Sequence, residues 1–239
     1  MKRLFFGMKI DNFTKLLIAL FFFVLLSIIL KAQPAMERYQ TCVLFENDWY
    51  EGKDSAKKEL DNRQKFLDHI YSLDKRKYKK VHRMFGDRSK ANQLINLIQK
   101  ASAESKIPVN VIFSQLIIES AWMSSKLYKE GHNGFCIKYY KRKSVPKHIK
   151  SKGRKPMNIH DDDPNDLFWT YDEFITSLSH YTWFVNQNHY TKHINDRYNF
   201  WEWTNALRKG GYATKKTYQR NMIRLNRKYK LHLLNVKWD

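Results

Sequence analysis

The sequence predicts a mainly helical domain behind a hydrophobic N-terminal segment. Three observations carry that expectation. From Val109 to Trp122, nine of fourteen residues are apolar and fall on every face of a helix, the pattern of a helix buried all round with others packed about it. Apolar stripes at helical spacing recur at Leu60, Phe66, Leu67, Ile70 and Leu73, at Leu94, Leu97, Ile98 and Ala101, and at Phe174, Leu178, Tyr181 and Val185. Aromatics make up 15% of the chain, too many for a disordered one.

A chain of 239 residues fits one domain of ordinary size with an N-terminal extension. Its net charge of +21 selects polyanions or an anionic surface as partners. Nucleic acid, anionic lipid and anionic cell-wall polymer all qualify on charge alone. Cys42 and Cys136 are the two cysteines, and two separate thiols are expected, with a disulfide as the alternative. His132 and Cys136 stand four apart with no second Cys or His pair at zinc-binding spacing, so neither a metal nor a cofactor is expected.

Lys2, Arg3 and Lys9 precede a hydrophobic run from Leu16 to Leu30. That run has signal-peptide length and is short for a membrane span, although Phe13 and a tilt extend it. Ala32 could sit at a cleavage site, whereas Lys31 suits the flank of an anchor. The positive residues ahead of the run keep the N-terminus in the cytoplasm and export the remainder of the chain. Residues 1–32 are therefore a signal peptide or a membrane anchor, spanning 13–30 in the second case. Residues 33–54 read as a linker and 55–235 as the folded domain.

Within that domain a helix over 55–74 is followed by a basic stretch, 75–90, ended by Gly86. A second helix leads to the central one, 108–122, whose first turn Pro108 suits because its missing N–H is not needed there. Ile137–Lys155 carries nine Lys and Arg and no acid, and Val145-Pro146 and Gly153 interrupt it. It reads as short strands and loops. His160–Asp166 reads as an acidic turn, paired with the basic lobe, whose offsets do not fit a calcium loop. Phe168–Tyr171 leads into a helix to about Gln187. A short helix over 199–208 stops at Gly210-Gly211, and a last helix carries Tyr218, Met222, Leu225 and Tyr229 on its apolar side.

One acid, Glu119, stands at the end of the central apolar run. A carboxyl group beside Ile117, Ile118 and Trp122 loses hydration, which favours its protonated form. The negative end of the helix dipole pushes the same way. A carboxyl kept neutral near pH 7 is what a general acid requires. The alternative is that Glu119 pairs with one of the 44 Lys and Arg and only closes a helix.

The residues just after the acid separate these readings. Glu119–Phe135, ESAWMSSKLYKEGHNGF, resembles the glucosaminidase domain of bacterial peptidoglycan hydrolases, whose pattern runs roughly ESxWGxSxLAxxGNNxFG. Glu119, Ser120, Trp122, Ser125, Leu127, Gly131, Asn133 and Phe135 stand in register, while Met123, His132 and Cys136 depart from it. Tyr181, Asn186, Asn188 and Tyr190, with the element that begins at Tyr212, look most like the Bax-type proteins of that family. The resemblance covers residues 55–235 and is strongest over 119–135.

The resemblance implies a lysozyme-like helical fold with a small β-hairpin lobe between Phe135 and Phe168, overhanging a sugar cleft. It implies that Glu119 is the catalytic acid and that Tyr212 lines the cleft. Trp122 offers a face to sugar rings, and Asn133 and Phe135 shape the floor. The substrate it implies is the glycan strand of peptidoglycan in the periplasm, cut after N-acetylglucosamine by a protein anchored to the inner membrane or released. Many relatives carry a second glutamate where this chain has Thr176. Glu173, Asp172, Asp161–Asp163 or the substrate's own 2-acetamido group could replace it. A lytic transglycosylase, needing one glutamate, and a catalytically faded peptidoglycan-binding envelope protein are the alternatives. A nucleic-acid partner is not expected, because the export segment opposes it and no recognition motif is present.

Overall fold

The computed structural model describes residues 55–139, 145–150, 152–159, 165–213, 215 and 217–238. The expected signal peptide or anchor, the linker, Cys42, Lys141–Lys143 and Asp161–Asp163 lie outside the described residues. Among the described residues no helix is long and apolar enough to cross a membrane.

Helices α1 (Ser55–Ser72), α2 (Lys79–Phe85) and α3 (Arg88–Ser105) lead to α4 (Val109–Glu119). Every residue of α4 from Val109 to Ile117 is buried. It packs against α3, α9 (Phe200–Lys209), α10 (Thr217–Tyr229) and a closing 3-10 turn, Leu231–Leu234. Burial of its aliphatic and aromatic side chains stabilises the fold by roughly 1.5–3 kcal/mol each relative to exposure. Between α4 and α9 run α5 (Lys126–Gly131), α6 (Lys147–Lys150), strands β1 (Gly153–Asn158) and β2 (Leu167–Tyr171), α7 (Phe174–Val185) and α8 (Asn188–Thr191). The described residues are mainly helical with one two-stranded sheet, as the sequence predicts.

Several boundaries move. Helix α4 stops at Glu119 rather than Trp122, because Ser120 competes for the backbone. Its Oγ donates to the Leu116 carbonyl at 2.5 Å and accepts from Met123 N–H at 2.7 Å. Ala121, Trp122 and Met123 then turn left-handed, at φ 49°, 64° and 55°. The stretch 75–90 is not merely basic, since Val81, Met84 and Phe85 bury the inner face of α2. The sheet falls later than expected. β1 and β2 pair antiparallel from Gly153↔Tyr171 to Asn158↔Leu167, so Trp169–Tyr171 are strand rather than a lead into helix. A bulge separates Arg154 from Met157 in the register and absorbs Pro156, which has no N–H for a ladder. The basic segment itself contributes the short turn α6 and a bridge, Lys138↔Phe168, while Lys138 pairs with Asp166 at 2.7 Å.

Three stripes also shift. Leu60 is 66% exposed, since at 3.6 residues per turn it lies roughly 100° around the helix from the line joining Phe66 and Ile70. On α3 the fully buried line is Ala91, Ile95, Ile98 and Ser102, flanked by the half-buried Leu94, Leu97 and Ala101. On α10 Asn226 takes the buried place expected of Leu225. After the 3-10 turn, packing runs on to Trp238, whose ring stacks on Tyr198 at 4.2 Å.

The sheet is tied to α7 by a buried polar pair. Tyr171 Oη lies 2.8 Å from His180 Nδ1. Burial lowers the His180 pKa to about 4 and pushes Tyr171 up, so near neutrality the phenol donates to an uncharged imidazole. The unfolded chain then binds a proton near pH 6.5 that the native chain refuses until about 4. Stability from this residue is full above 6.5 and is lost as pH falls toward 4, by on the order of 3 kcal/mol. Urea denaturation at pH 7 and 4.5 measures this loss. His180→Asn, which still accepts from Tyr171 but does not titrate, is expected to show a flatter dependence, and equal slopes would show that His180 does not contribute.

Candidate active site

The end of α4, the middle of α7 and the start of α10 converge on Glu119. Tyr218, in the first turn of α10, donates to Glu119 Oε1 at 2.6 Å. One turn earlier on α4, the buried Gln115 donates through Nε2 to the Tyr218 hydroxyl at 3.1 Å. Tyr181, on α7, donates in turn to Gln115 Oε1. Glu119 itself is half-buried. The acid expected beside Ile117, Ile118 and Trp122 is therefore not surrounded by apolar groups alone, because α10 brings a phenol to it from ninety-nine residues away.

Tyr212 reaches the same region. It precedes α10, and its hydroxyl donates to the carbonyl of Phe135. The Phe135 ring is fully buried and stacks on Tyr181 at 4.1 Å, while Tyr212 stands edge-on to Tyr181 at 6.3 Å and to Phe184 at 6.1 Å. Burial pushes the hydroxyls of Tyr181, Tyr212 and Tyr218 well above the ordinary tyrosine range, and the charge of Glu119 pushes each further. All three stay protonated donors at any physiological pH. Gly210 makes this packing possible, since a Cβ there would lie 2.2 Å from the Tyr190 ring, which borders Tyr212.

Asn133 is buried and spends its amide on the backbone. Nδ2 donates to the carbonyls of Ile137 at 3.1 Å and Trp169 at 2.9 Å, and Oδ1 accepts from the N–H groups of Phe135 and Ile137, both at 3.2 Å. It holds the loop from α5 to the hairpin, and it leaves no donor over for a ligand. Gly134 N–H donates to Ser177 Oγ at 3.0 Å, and a Cβ at Gly134 would meet Leu116 and Phe174 at 2.8 Å. The half-buried Trp122 packs edge-on to Tyr229 at 4.9 Å. Tyr139 lies against Trp169, and Tyr140 is outside the described residues.

Three of the departures from the family pattern share one property. Met123, His132 and Cys136 have φ of 55°, 50° and 48°, the left-handed region that glycine and asparagine occupy most readily. The side chains of the last two are used locally: His132 Nδ1 lies 3.0 Å from the Tyr171 carbonyl, and Cys136 Sγ donates to the Glu119 carbonyl at 3.1 Å. As for a second acid, Thr176 is buried. Asp172 is exposed and lies 3.6 Å from Arg154, and Glu173 is exposed at the head of α7. Among the described residues no group of three His, Cys, Asp or Glu is placed to hold a metal ion.

Tyr218 thus bonds the Glu119 carboxyl group directly, and Tyr181 and Tyr212 stand near enough to feel its charge. Residues 95–231 match the glucosaminidase family, described as mannosyl-glycoprotein endo-beta-N-acetylglucosaminidase. With more than half its length matched, the chain belongs to that family of glycoside hydrolases. Among solved structures, a peptidoglycan hydrolase from Sphingomonas sp. A1 is 23% identical, over 54% of this chain and 81% of that one, with a TM-score of 0.45. The catalytic domain of the autolysin Auto from Listeria monocytogenes is 19% identical over 60% and 84%, also at 0.45. A type VI secretion effector–immunity complex from Pseudomonas protegens gives 13% identity over 59% and 89%, at 0.44. These are too distant to transfer the role of any residue. No protein of curated function matches the chain.

Gln115 has no place among the site residues that the sequence predicts, although its signal is there: a long polar side chain inside an apolar helix must find buried partners. The bonds of Asn133 generate a prediction. Asn133→Ala would remove the acceptor of the Phe135 and Ile137 N–H groups and a donor to the Trp169 carbonyl, while the Ile137 carbonyl keeps the Trp169 N–H, and is expected to cost on the order of 3 kcal/mol in urea unfolding. A variant as stable as the parent but unable to cleave would instead make Asn133 a substrate contact.

Proposed function

We propose that this protein is a peptidoglycan hydrolase that cuts the β-1,4 bond after N-acetylglucosamine, with Glu119 as general acid. The observation that carries the reading is the coincidence of two independent facts. Glu119 opens the stretch that resembles the family's motif, within the matched residues 95–231, and Tyr218, held by Gln115, donates to that same carboxyl group. Protonation of the leaving oxygen by Glu119 is the first requirement of glycoside hydrolysis. With Thr176 where many relatives have a second glutamate, the 2-acetamido oxygen of the substrate supplies the nucleophile. Tyr212 borders the sugar site, and Trp122 flanks it. Asn133 and Phe135 support it from below, without touching the scissile bond.

Thr176, where many relatives have a second glutamate, is buried and carries no acid, which also suits a lytic transglycosylase, and the products discriminate. Purified sacculi are expected to yield reducing-end N-acetylglucosamine, whereas anhydro-muramyl ends would identify the transglycosylase. Release of no soluble fragment would leave a peptidoglycan-binding protein. Glu119→Gln is expected to lower turnover by roughly 10²–10⁴ while the domain stays folded. Unchanged activity per folded molecule would remove Glu119 from the chemistry.

The composition of residues 1–32 supports export to the cell envelope, with the domain anchored or released in the periplasm. There the excess positive charge meets an anionic wall. Binding to sacculi is expected to weaken with salt, since exposed charges more than about 8 Å apart are screened at physiological ionic strength. Neutralising Lys141, Arg142 and Lys143 together is expected to lower affinity more than turnover at saturation. Binding indifferent to salt and to these substitutions would make the charge a matter of solubility.

A further inference from the structure

We infer that Gln115 is a positioning residue that sets the direction of the hydrogen bonds reaching Glu119, and so decides which carboxyl oxygen carries the acid proton. The inference rests on the reading of Glu119 as general acid and adds a part to it.

Each donor in the row fixes the next. Tyr181 donates to Gln115 Oε1, which leaves the amide Nε2 to face Tyr218. Nε2 is a donor only, so it occupies a lone pair of the Tyr218 oxygen and turns that hydroxyl's proton away from Gln115. The proton points instead at Glu119 Oε1, 2.6 Å away. An oxygen that accepts a phenolic proton at this distance does not itself carry one on that side. When Glu119 is neutral, its proton is therefore on Oε2. The amide is the element that gives the row its sense. Turned over, it would offer Oε1 to Tyr218, and the phenol would then donate to Gln115 and leave Glu119.

Among the described residues, the other bonded groups around Glu119 do not reverse this order. Tyr181, Tyr212 and Tyr218 are held as protonated phenols by burial. Tyr212 is committed to the Phe135 carbonyl, and the Cys136 thiol to the Glu119 carbonyl. Gln115 and Glu119 are four residues apart on one helix, so they lie on one face and move together.

Gln115→Glu tests the inference with almost no change of shape. A carboxylate at 115 accepts from both Tyr181 and Tyr218, which draws the Tyr218 proton away from Glu119. On sacculi, kcat is expected to fall by about 10-fold or more with KM little changed, as for loss of an interaction made in the transition state. The alkaline limb of the pH–rate profile is expected to move up by about one unit, because Glu119 loses a donor and gains a negative neighbour. Tyr181→Phe frees the amide to turn over without adding charge. A smaller loss of kcat and a smaller shift in the same direction are expected, and this variant decides the matter if Gln115→Glu does not fold. A folded Gln115→Glu or Tyr181→Phe enzyme with the parent's kcat and pH profile overturns the inference while Glu119→Gln remains inactive. Activity retained in Glu119→Gln would overturn the reading beneath it.

Discussion

Everything in this fold is arranged around a helix that has no outer face. Nine consecutive residues of α4, Val109 to Ile117, are buried, so elements must close over it on every side. Helices α3, α9 and α10 and the closing 3-10 turn do so. Because α4 is enclosed, its last turn is as firmly placed as its middle, and the carboxyl group at its end inherits that placement. Catalysis by positioned groups depends on this kind of rigidity, since a small displacement of an acid costs much of its effect. The left-handed turn after Glu119 then takes the chain abruptly away and leaves the carboxyl group half-buried at the edge of the core.

Much of this is legible from residues alone, and the limits have physical causes. The central helix announces itself through apolar density, which needs no partner to be recognised. The other helices show in their period, but their faces differ from the predicted ones where a polar residue takes an inner place. Asn226 displaces Leu225, Ser102 outranks Ala101, and Leu60 is left in solvent. Periodicity counts apolar residues, whereas burial follows the geometry of what packs on top. The hairpin begins later than its composition suggests because the basic charge of 138–155 marks a change of structure without marking register.

The site divides in the same way. Glu119 and Tyr212 are proposed from the sequence because local motifs surround them. The row from Tyr181 through Gln115 to Tyr218 cannot, because its members come from three helices and meet only in space. No local pattern distinguishes a glutamine that orders two phenols from one that merely tolerates burial. The structure also changes the character of the acid's surroundings. An apolar pocket tunes a carboxyl group by withholding water, whereas a set of fixed donors tunes it by direction.

The turns at Met123, His132 and Cys136 bear on how this chain could have diverged. Each non-glycine residue in the left-handed region costs of order 1 kcal/mol or more. Three of them draw on a margin of only about 5–15 kcal/mol for a typical domain. Such replacements survive only in a lineage whose core holds stability in reserve, and the deeply enclosed α4 is where that reserve lies. The side chains of His132 and Cys136 make local contacts with the Tyr171 and Glu119 carbonyls, which offset part of that cost. The loop beside Glu119 thus carries backbone strain that the enclosed core can offset.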